Sequence, residues 1–330
     1  MKAIENTSLI VCHYGGHNES RRDATLRAVQ AWNCQTNIPN QSRFLELVLP
    51  GQRPCFGRAD FPEWIQYIRL FGKERNRSLF QKEAMWNLGA KFTSAQKLFF
   101  IDGDCMPVDC PDWFSRVFGL CEPGTAVHPA WHLVHEGQEP VYTDYYSLFA
   151  PKESIPEGKR CYPGLGYCLH RADFDAMDGF NPFSIIGAGD CVFVYERLRS
   201  IAPRYTFAKR MFHSIVRENL PQLKWAVPME TTVQHNFHGG REDRAYRWSR
   251  ELICLFGSPK AYVHIDRAGL LAWNDPKFWL ADIAMEKTRM HTRKELMELI
   301  VESANARLDH QEAMYRTDDT DFNKEDFNDN

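Results

Sequence analysis

Two carboxylates separated by a single residue, Asp102 and Asp104, directly follow the apolar run Leu98–Ile101. Four consecutive apolar residues are typical of a strand that is buried on both faces. Because desolvating an unpaired carboxylate is costly, we expect the pair either to meet a cation or to form a turn where the strand ends. Carboxylate oxygens are ligands that Mg²⁺ and Mn²⁺ favour. The spacing alone therefore leaves a turn and a metal site equally open.

The elements before this pair predict the start of an open parallel sheet. A strand is predicted over residues 7–12, ending in His13-Tyr14-Gly15-Gly16, followed by a helix over 20–32 and a strand over 44–49. This order is β-α-β. The glycine pair is not a dinucleotide fingerprint, because the Gly-x-Gly-x-x-Gly spacing is absent. It is either a turn after the strand or a place where the backbone approaches a nucleotide.

A second helix is predicted to lead into the carboxylate strand. Residues 61–70 fit either a helix or a short strand with a loop. Ser78 and Gln81 have the spacing of a capping box, which predicts a helix from Leu79 to Phe92.

The segment from Lys82 to Ala90, with Asn87 and Gly89 two residues apart, resembles the central segment of GT-A-type glycosyltransferases when it is read together with Leu98–Asp104. The resemblance implies a GT-A (Rossmann-like) α/β fold, with a mixed, mostly parallel sheet, helices on both faces and a helical C-terminal extension. It also implies that the carboxylates hold Mn²⁺ or Mg²⁺ against the diphosphate of a nucleotide-sugar donor. The residues expected on the donor side are His13, Tyr14, Gly15, Lys82, Asn87, Asp102 and Arg241.

The stretch from Cys161 to Phe193 resembles the acceptor half of the same superfamily. It has a Gly-rich strand, a Gly179-Phe180 turn and a glycine loop that ends in Asp190. Many inverting members carry Glu-Asp at this last position, and the Asp is the catalytic base. Here Gly189 replaces the Glu, so Asp190 is either the base or only the cap of a helix over 191–199. A base at Asp190 predicts inversion at the anomeric carbon, and otherwise a retaining path is open.

A histidine pair, His235 and His238, lies far downstream. Lone histidines are usually structural. In several GT-A enzymes, however, a C-terminal histidine completes the metal shell, and His238 before two glycines matches that pattern best, with His235 second. The arginines Arg241, Arg244, Arg247 and Arg250 follow at three-residue steps. They face either the donor diphosphate or a polyanionic acceptor, or they pair with neighbouring acidic residues.

The composition is that of an ordinary globular protein. The chain has 330 residues, 44% hydrophobic and 25% charged, with a formal net charge of -3 and ten cysteines that we expect to be reduced thiols. No apolar run approaches the ~20 residues of a membrane span, and no signal segment is seen, so a cytoplasmic location is expected. We expect a catalytic domain over 1–255, a helical extension over 256–314 and an acidic, disordered tail over 315–330.

These features predict a metal-dependent hexosyl- or pentosyltransferase whose acceptor is a glycan or a hydroxymethylated base in DNA. Basic clusters at residues 21–22, 53–58, 73–77 and 241–250 would suit a phosphate-lined groove, as in enzymes resembling phage DNA-base glycosyltransferases, whereas the acidic net charge argues against DNA. A nucleotidyltransferase is an alternative, although the loop after the first strand lacks the lysine that such enzymes usually have. A non-enzymatic binding module is the other alternative. The sequence carries no feature that fixes an oligomeric state.

Overall fold

The computed structural model describes residues 2–14, 18–76, 79–136, 145–151, 154–155, 160–162, 164–183, 193–194, 223–236 and 263–274. The strands are β1 Lys2–Ile4, β2 Thr7–Tyr14, β3 Asn37–Pro39, β4 Ser42–Val48, β5 Ile65–Phe71, β6 Lys97–Asp102, β7 Cys105–Val108, β8 Thr125–Val127, β9 His132–His135, β10 Tyr145–Ser147, β11 Arg160–Tyr162, β12 Gly166–His170, β13 Lys224–Ala226, β14 Thr232–His235, β15 Val263–Ile265 and β16 Leu271–Trp273. The α-helices are α1 Glu19–Asn33, α2 Lys82–Lys91, α3 Trp113–Leu120 and α4 Arg171–Ala176, and short 3₁₀ turns occupy Arg58–Asp60 and Glu74–Asn76.

A seven-stranded sheet in the order β13-β8-β12-β6-β2-β4-β5 forms the centre. Strand β12 runs antiparallel to both of its neighbours, and the other adjacent pairs are parallel. The predicted mixed, mostly parallel α/β sheet is therefore confirmed, and it fits a GT-A-like fold. The carboxyl ends of β2, β4 and β6 meet at one edge, where open α/β sheets place their ligands.

Alternate residues of the central strands face opposite layers of helices. Leu9, Phe99 and Ile101 pack with α1 and α3, whereas Ile10 and Phe100 pack with α2 and α4. Both faces are covered, as predicted, which explains why β6 has no polar residue between Lys97 and Asp102. Complete burial of each phenylalanine stabilises this layer by about 1.5–3 kcal/mol.

A second sheet, in the order β11-β10-β9-β14-β7, abuts the carboxyl end of β6. Strand β14 lies between β9, to which it is parallel, and β7, to which it is antiparallel. Because β7 begins at Cys105, directly after the Asp-x-Asp turn, β14 brings a distant part of the chain beside the two carboxylates.

Residues 65–71 are strand β5, which is the strand alternative of the prediction for residues 61–70. The helix predicted over 20–32 is observed as α1. Helix α2 differs from its prediction, since it begins at Lys82 rather than at Leu79. Gln81 is the N-cap residue of α2, but its side chain does not cap the helix. Ser78, the other half of the predicted capping box, lies outside the described residues.

The described part of the expected helical extension is a β-hairpin. Strands β15 and β16 pair antiparallel, and Leu270, Leu271 and Ala272 are buried. The remainder of that extension, including helices expected over 282–308, and the acidic tail lie outside the described residues. Among the helices that the structure describes, none is long and apolar enough to cross a membrane.

Candidate active site

The Asp-x-Asp segment is a turn between two strands. Asp102 is the last residue of β6, Gly103 and Asp104 form the turn, and Cys105 begins β7. The backbone N–H of Asp102 donates to the Leu165 carbonyl (2.8 Å), and the Asp104 carbonyl accepts from the N–H of Asn236 (2.8 Å). Both carboxylates are therefore carried on a fixed backbone, and forming a turn does not prevent them from binding a cation.

Asp102 is paired with Lys82. The ammonium of Lys82 lies 3.0 Å from Asp102 Oδ1 and 4.8 Å from the centroid of the Trp86 ring. Lys82 is the first residue of α2, so the helix delivers this charge to the end of β6. The two side chains are 14% and 26% exposed, so water screens the pair less than it screens a surface ion pair.

Asp104 faces His235, the last residue of β14. His235 Nε2 lies 3.5 Å from Asp104 Oδ2, and the two side chains are 10% and 16% exposed. The His135 ring, on the neighbouring strand β9, meets the His235 ring edge to face with a centroid distance of 5.6 Å. His135 in turn packs edge to face on Tyr145 (5.3 Å). His235, one of the two histidines predicted for the metal site, is thus placed beside a carboxylate.

Contacts from α1 hold the backbone next to Asp104 and His235 in place. Asn236 Nδ2 donates to the carbonyl of Ala24 (3.0 Å), and the indole N–H of Trp32 donates to the carbonyl of Cys105 (3.1 Å). Asn236 and Trp32 are completely buried. Neither residue, nor His135, has a local sequence pattern that marks it as part of the site, because its partners are distant in the chain.

His13 and Tyr14, two residues expected on the donor side, are the last two residues of β2. The His13 ring packs edge to face on Phe56 (5.0 Å), and the Tyr14 ring on Phe80 (5.4 Å). Burial raises the pKa of Tyr14 well above its usual value, so its hydroxyl is a neutral donor at any physiological pH. Gly15 lies outside the described residues.

The side chain of Asn87, a residue expected on the donor side, binds the backbone of the Gly179-Phe180 turn. Its Nδ2 donates to the carbonyl of Phe180 and its Oδ1 accepts from the N–H of Phe180, both at 2.8 Å. Gly179 has φ +71°, and a Cβ there would lie 2.6 Å from Asn87 Oδ1. Glycine at position 179 therefore leaves the space that the Asn87 amide needs, and the amide positions the backbone of this turn.

A buried carboxylate, Glu46, lies on β4 opposite His13 in register. It accepts from the N–H groups of Cys55 and Phe56 and from the Tyr67 hydroxyl. Burial and the hydrogen bond to Glu46 raise the pKa of Tyr67. Glu46 thus anchors the loop after β4, which in turn places Phe56 against His13.

Several predicted site residues, Asp190, His238, Arg241 and the arginines after it, lie outside the described residues. Within the described ranges, no three His, Cys, Asp or Glu side chains are grouped as a closed metal site. Two members of the predicted basic clusters are engaged internally, since Arg22 bonds Asp60 (2.6 Å) and Arg58 donates to the carbonyl of Phe61 (2.8 Å).

Comparison with known proteins gives structural similarity only. No family model and no curated protein matches the chain. Solved structures that resemble it include TarS of S. aureus in complex with UDP, with 9% identity, 92% of this chain and 71% of that chain covered and a TM-score of 0.41.

Two others are named as sugar transferases. A Drosophila β-1,4-galactosyltransferase 7 with manganese, UDP-Gal and xylobiose has 13% identity, 72% coverage of each chain and a TM-score of 0.37. The mannosyltransferase PcManGT of Pyrobaculum calidifontis with GDP-Man and Mn²⁺ has 12% identity, covers 90% of this chain and 73% of that chain, and has a TM-score of 0.43.

Proposed function

We propose that the chain is a metal-dependent glycosyltransferase that moves a sugar from a nucleotide-sugar to an acceptor hydroxyl. The observation that carries the proposal is the meeting of Asp104 with His235 beside the Lys82–Asp102 pair. This constellation lies at the carboxyl edge of a mostly parallel sheet, where such folds bind their ligands.

The side chains of Asp104 and His235 fit a divalent cation. Asp104 offers a carboxylate oxygen and His235 an imidazole nitrogen, held 3.5 Å apart. A set of mixed oxygen and nitrogen ligands suits Mn²⁺ better than Mg²⁺, which prefers oxygen alone. A bound cation would neutralise the charge that develops on the departing diphosphate. Even with His238 as a third protein ligand, this shell leaves room for donor oxygens, as expected of an open site rather than a structural one.

The other groups of the chain act on the donor and the acceptor. The Lys82 ammonium adds a second positive charge at the same edge, beside the place where we expect the diphosphate. In our proposal, Asp190 accepts the proton of the acceptor hydroxyl, and the oxygen of that hydroxyl attacks the anomeric carbon. The bond from that carbon to the diphosphate breaks, and the configuration inverts. His238 and Arg241 are proposed to complete the metal shell and to bind the diphosphate.

The test is Mn²⁺-dependent hydrolysis and transfer, measured over a panel of UDP- and GDP-sugars. Asp104→Asn and His235→Asn should each lower turnover by about 100-fold or more, as is usual when a preorganised charge is removed. Asp112→Asn is a matched control, because Asp112 is an exposed carboxylate that pairs with Arg116 (2.9 Å). Wild-type turnover in either site variant, with a folded protein, would exclude the proposed role of the pair.

The same assay separates the alternatives. A nucleotidyltransferase would release pyrophosphate from nucleoside triphosphates, and a binding module would turn over no donor at all. Xylosides, other glycans and hydroxymethylated DNA are added in separate arms as acceptors. A glycan acceptor is proposed first, because Arg22 and Arg58 of the predicted DNA groove are engaged within the chain.

A further inference from the structure

The C-terminal hairpin, β15–β16, is held to the domain by the side chain of Gln81. Gln81 Nε2 donates to the carbonyl of Leu271 (2.9 Å), and the N–H of Leu271 donates to Gln81 Oε1 (2.9 Å). The amide also donates to the carbonyl of Asn76 (3.1 Å). Gln81 is 1% exposed. One side chain therefore pairs with both backbone groups of a residue 190 positions further along the chain.

Asn76 makes a second set of contacts with the same hairpin. Its Nδ2 donates to the Leu271 carbonyl (2.7 Å) and to Asp266 Oδ2 (3.0 Å). Asp266 Oδ1 closes the hairpin turn by accepting from the N–H of Leu270 (3.1 Å). Asn76 is also 1% exposed. Because a buried amide without partners is costly, these contacts fix one docked position of the hairpin rather than a range of positions.

The docked hairpin determines where α2 begins. Gln81 directly precedes Lys82, and its carbonyl accepts the N–H of Met85 (2.9 Å) in the first turn of the helix. The hairpin turn also packs on α2, since a Cβ at Gly269 (φ +81°) would lie 3.2 Å from Leu88 Cδ1. The ammonium that reaches Asp102 at 3.0 Å therefore belongs to a helix start that the hairpin holds.

We propose that the C-terminal hairpin is a positioning element of the active site, and that it acts through Gln81 to keep the Lys82 ammonium on Asp102. Gln81 is then a positioning residue, since it touches neither of the two carboxylates in the contacts described above. The consequence for donor binding rests on the proposed function. The consequence for Lys82 itself does not.

The test uses the full-length chain with Gln81→Met, which removes the amide contacts at similar volume. The matched control is Gln41→Met, because the Gln41 amide binds Thr93 and Ser94 near the opposite end of α2. Lys82 acetylation by acetic anhydride is followed by mass spectrometry without metal or nucleotide, with the exposed Lys91 as internal reference. Lys82 is 14% exposed in the docked protein, so its labelling should rise about threefold or more in Gln81→Met and stay unchanged in Gln41→Met.

Hydrogen exchange of residues 263–274 reports hairpin docking in the same samples, and steady-state kinetics give the donor KM. We expect faster exchange and a KM raised about tenfold, with kcat changed less, because donor positioning weakens before chemistry does. Lys82 labelling at the wild-type rate in folded Gln81→Met would overturn the proposal. If that variant does not fold, Asp266→Asn serves the same test. It replaces the acceptor of the Asn76 amide by a second amide donor, so Lys82 labelling should again rise. A wild-type chain that turns over no nucleotide-sugar would refute the proposed function, and the labelling result would still decide the role of the hairpin.

Discussion

His128 should make the stability of this fold depend on pH. The ring is buried between the end of β8 and the chain that enters β12, with Nε2 2.7 Å from the Gly164 carbonyl. Nδ1 lies 3.0 Å from both the carbonyl of Ala130 and the hydroxyl of Ser147. Burial lowers the pKa of His128 to about 4, although the two carbonyls act in the opposite direction.

The direction of this pH dependence follows from the difference between the folded and the unfolded state. In the unfolded chain a histidine has a pKa near 6.5. Between that value and about 4 the unfolded chain binds the proton and the folded one does not, so the free energy of unfolding falls as the pH falls. Lowering the pKa from 6.5 to about 4 corresponds to about 3 kcal/mol. That is a large share of the roughly 5–15 kcal/mol by which native proteins are usually stable.

The assay is urea unfolding of the wild type and of His128→Gln at several pH values from about 7 to about 4. His128→Gln should be less stable at neutral pH, and its deficit should shrink by about 3 kcal/mol towards pH 4, because the variant has no buried imidazole to protonate. Ser147→Ala keeps the imidazole and should retain most of the wild-type pH dependence. A deficit of His128→Gln that stays constant over this range would refute the linkage.

Three further changes test the supports of the site by chemical denaturation and turnover. Asn87→Ala leaves both backbone groups of Phe180 without their partner and should cost about 2–4 kcal/mol, whereas Asn87→Asp keeps the acceptor and should cost less. Glu46→Ala should cost about 3 kcal/mol or more, since several buried donors lose one acceptor, and an effect within about 0.5 kcal/mol would contradict this. Trp32→Phe removes the indole N–H that donates to the carbonyl of Cys105 and leaves a small cavity in the core, so we expect a loss of about 1–3 kcal/mol together with weaker Mn²⁺ binding. Unchanged Mn²⁺ binding in that variant would contradict a role of α1 in holding the metal site.

Local patterns predicted the centre of the fold well. The apolar run before Asp102 is typical of a strand with both faces covered, and the structure has helices on both faces of β6. The helix predicted over 20–32 is observed as α1, Glu19–Asn33. The start of α2 was missed, because a capping box is a local pattern and the amide of Gln81 is bound to Leu271 instead.

In the candidate site, too, residues close together in the chain were predictable and residues brought together by strand pairing were not. The Asp-x-Asp spacing indicated both carboxylates, since only one residue separates them in the chain. The position of His235 depends on the strand that contains it, because the register of β14 on β7 pairs His235 with Cys105. His135 had no signal of its own, because its position next to His235 comes from the parallel pairing of β9 and β14.

The two carboxylates of the turn are not equivalent, and the difference bears on the chemistry. Asp102 already has a cationic partner from α2, whereas Asp104 faces a histidine that carries a charge only when it is protonated. A divalent cation at Asp104 and His235 would stand beside an imidazole that can be neutral, but at Asp102 it would stand beside the permanent charge of Lys82. Asp104 is therefore the better direct ligand. Asp102 and Lys82 together form a neutral pair that can open towards an incoming diphosphate, because a phosphate oxygen can replace the carboxylate as the partner of the ammonium. The remote hairpin matters for the same reason: it holds the start of the helix that brings this ammonium to the turn.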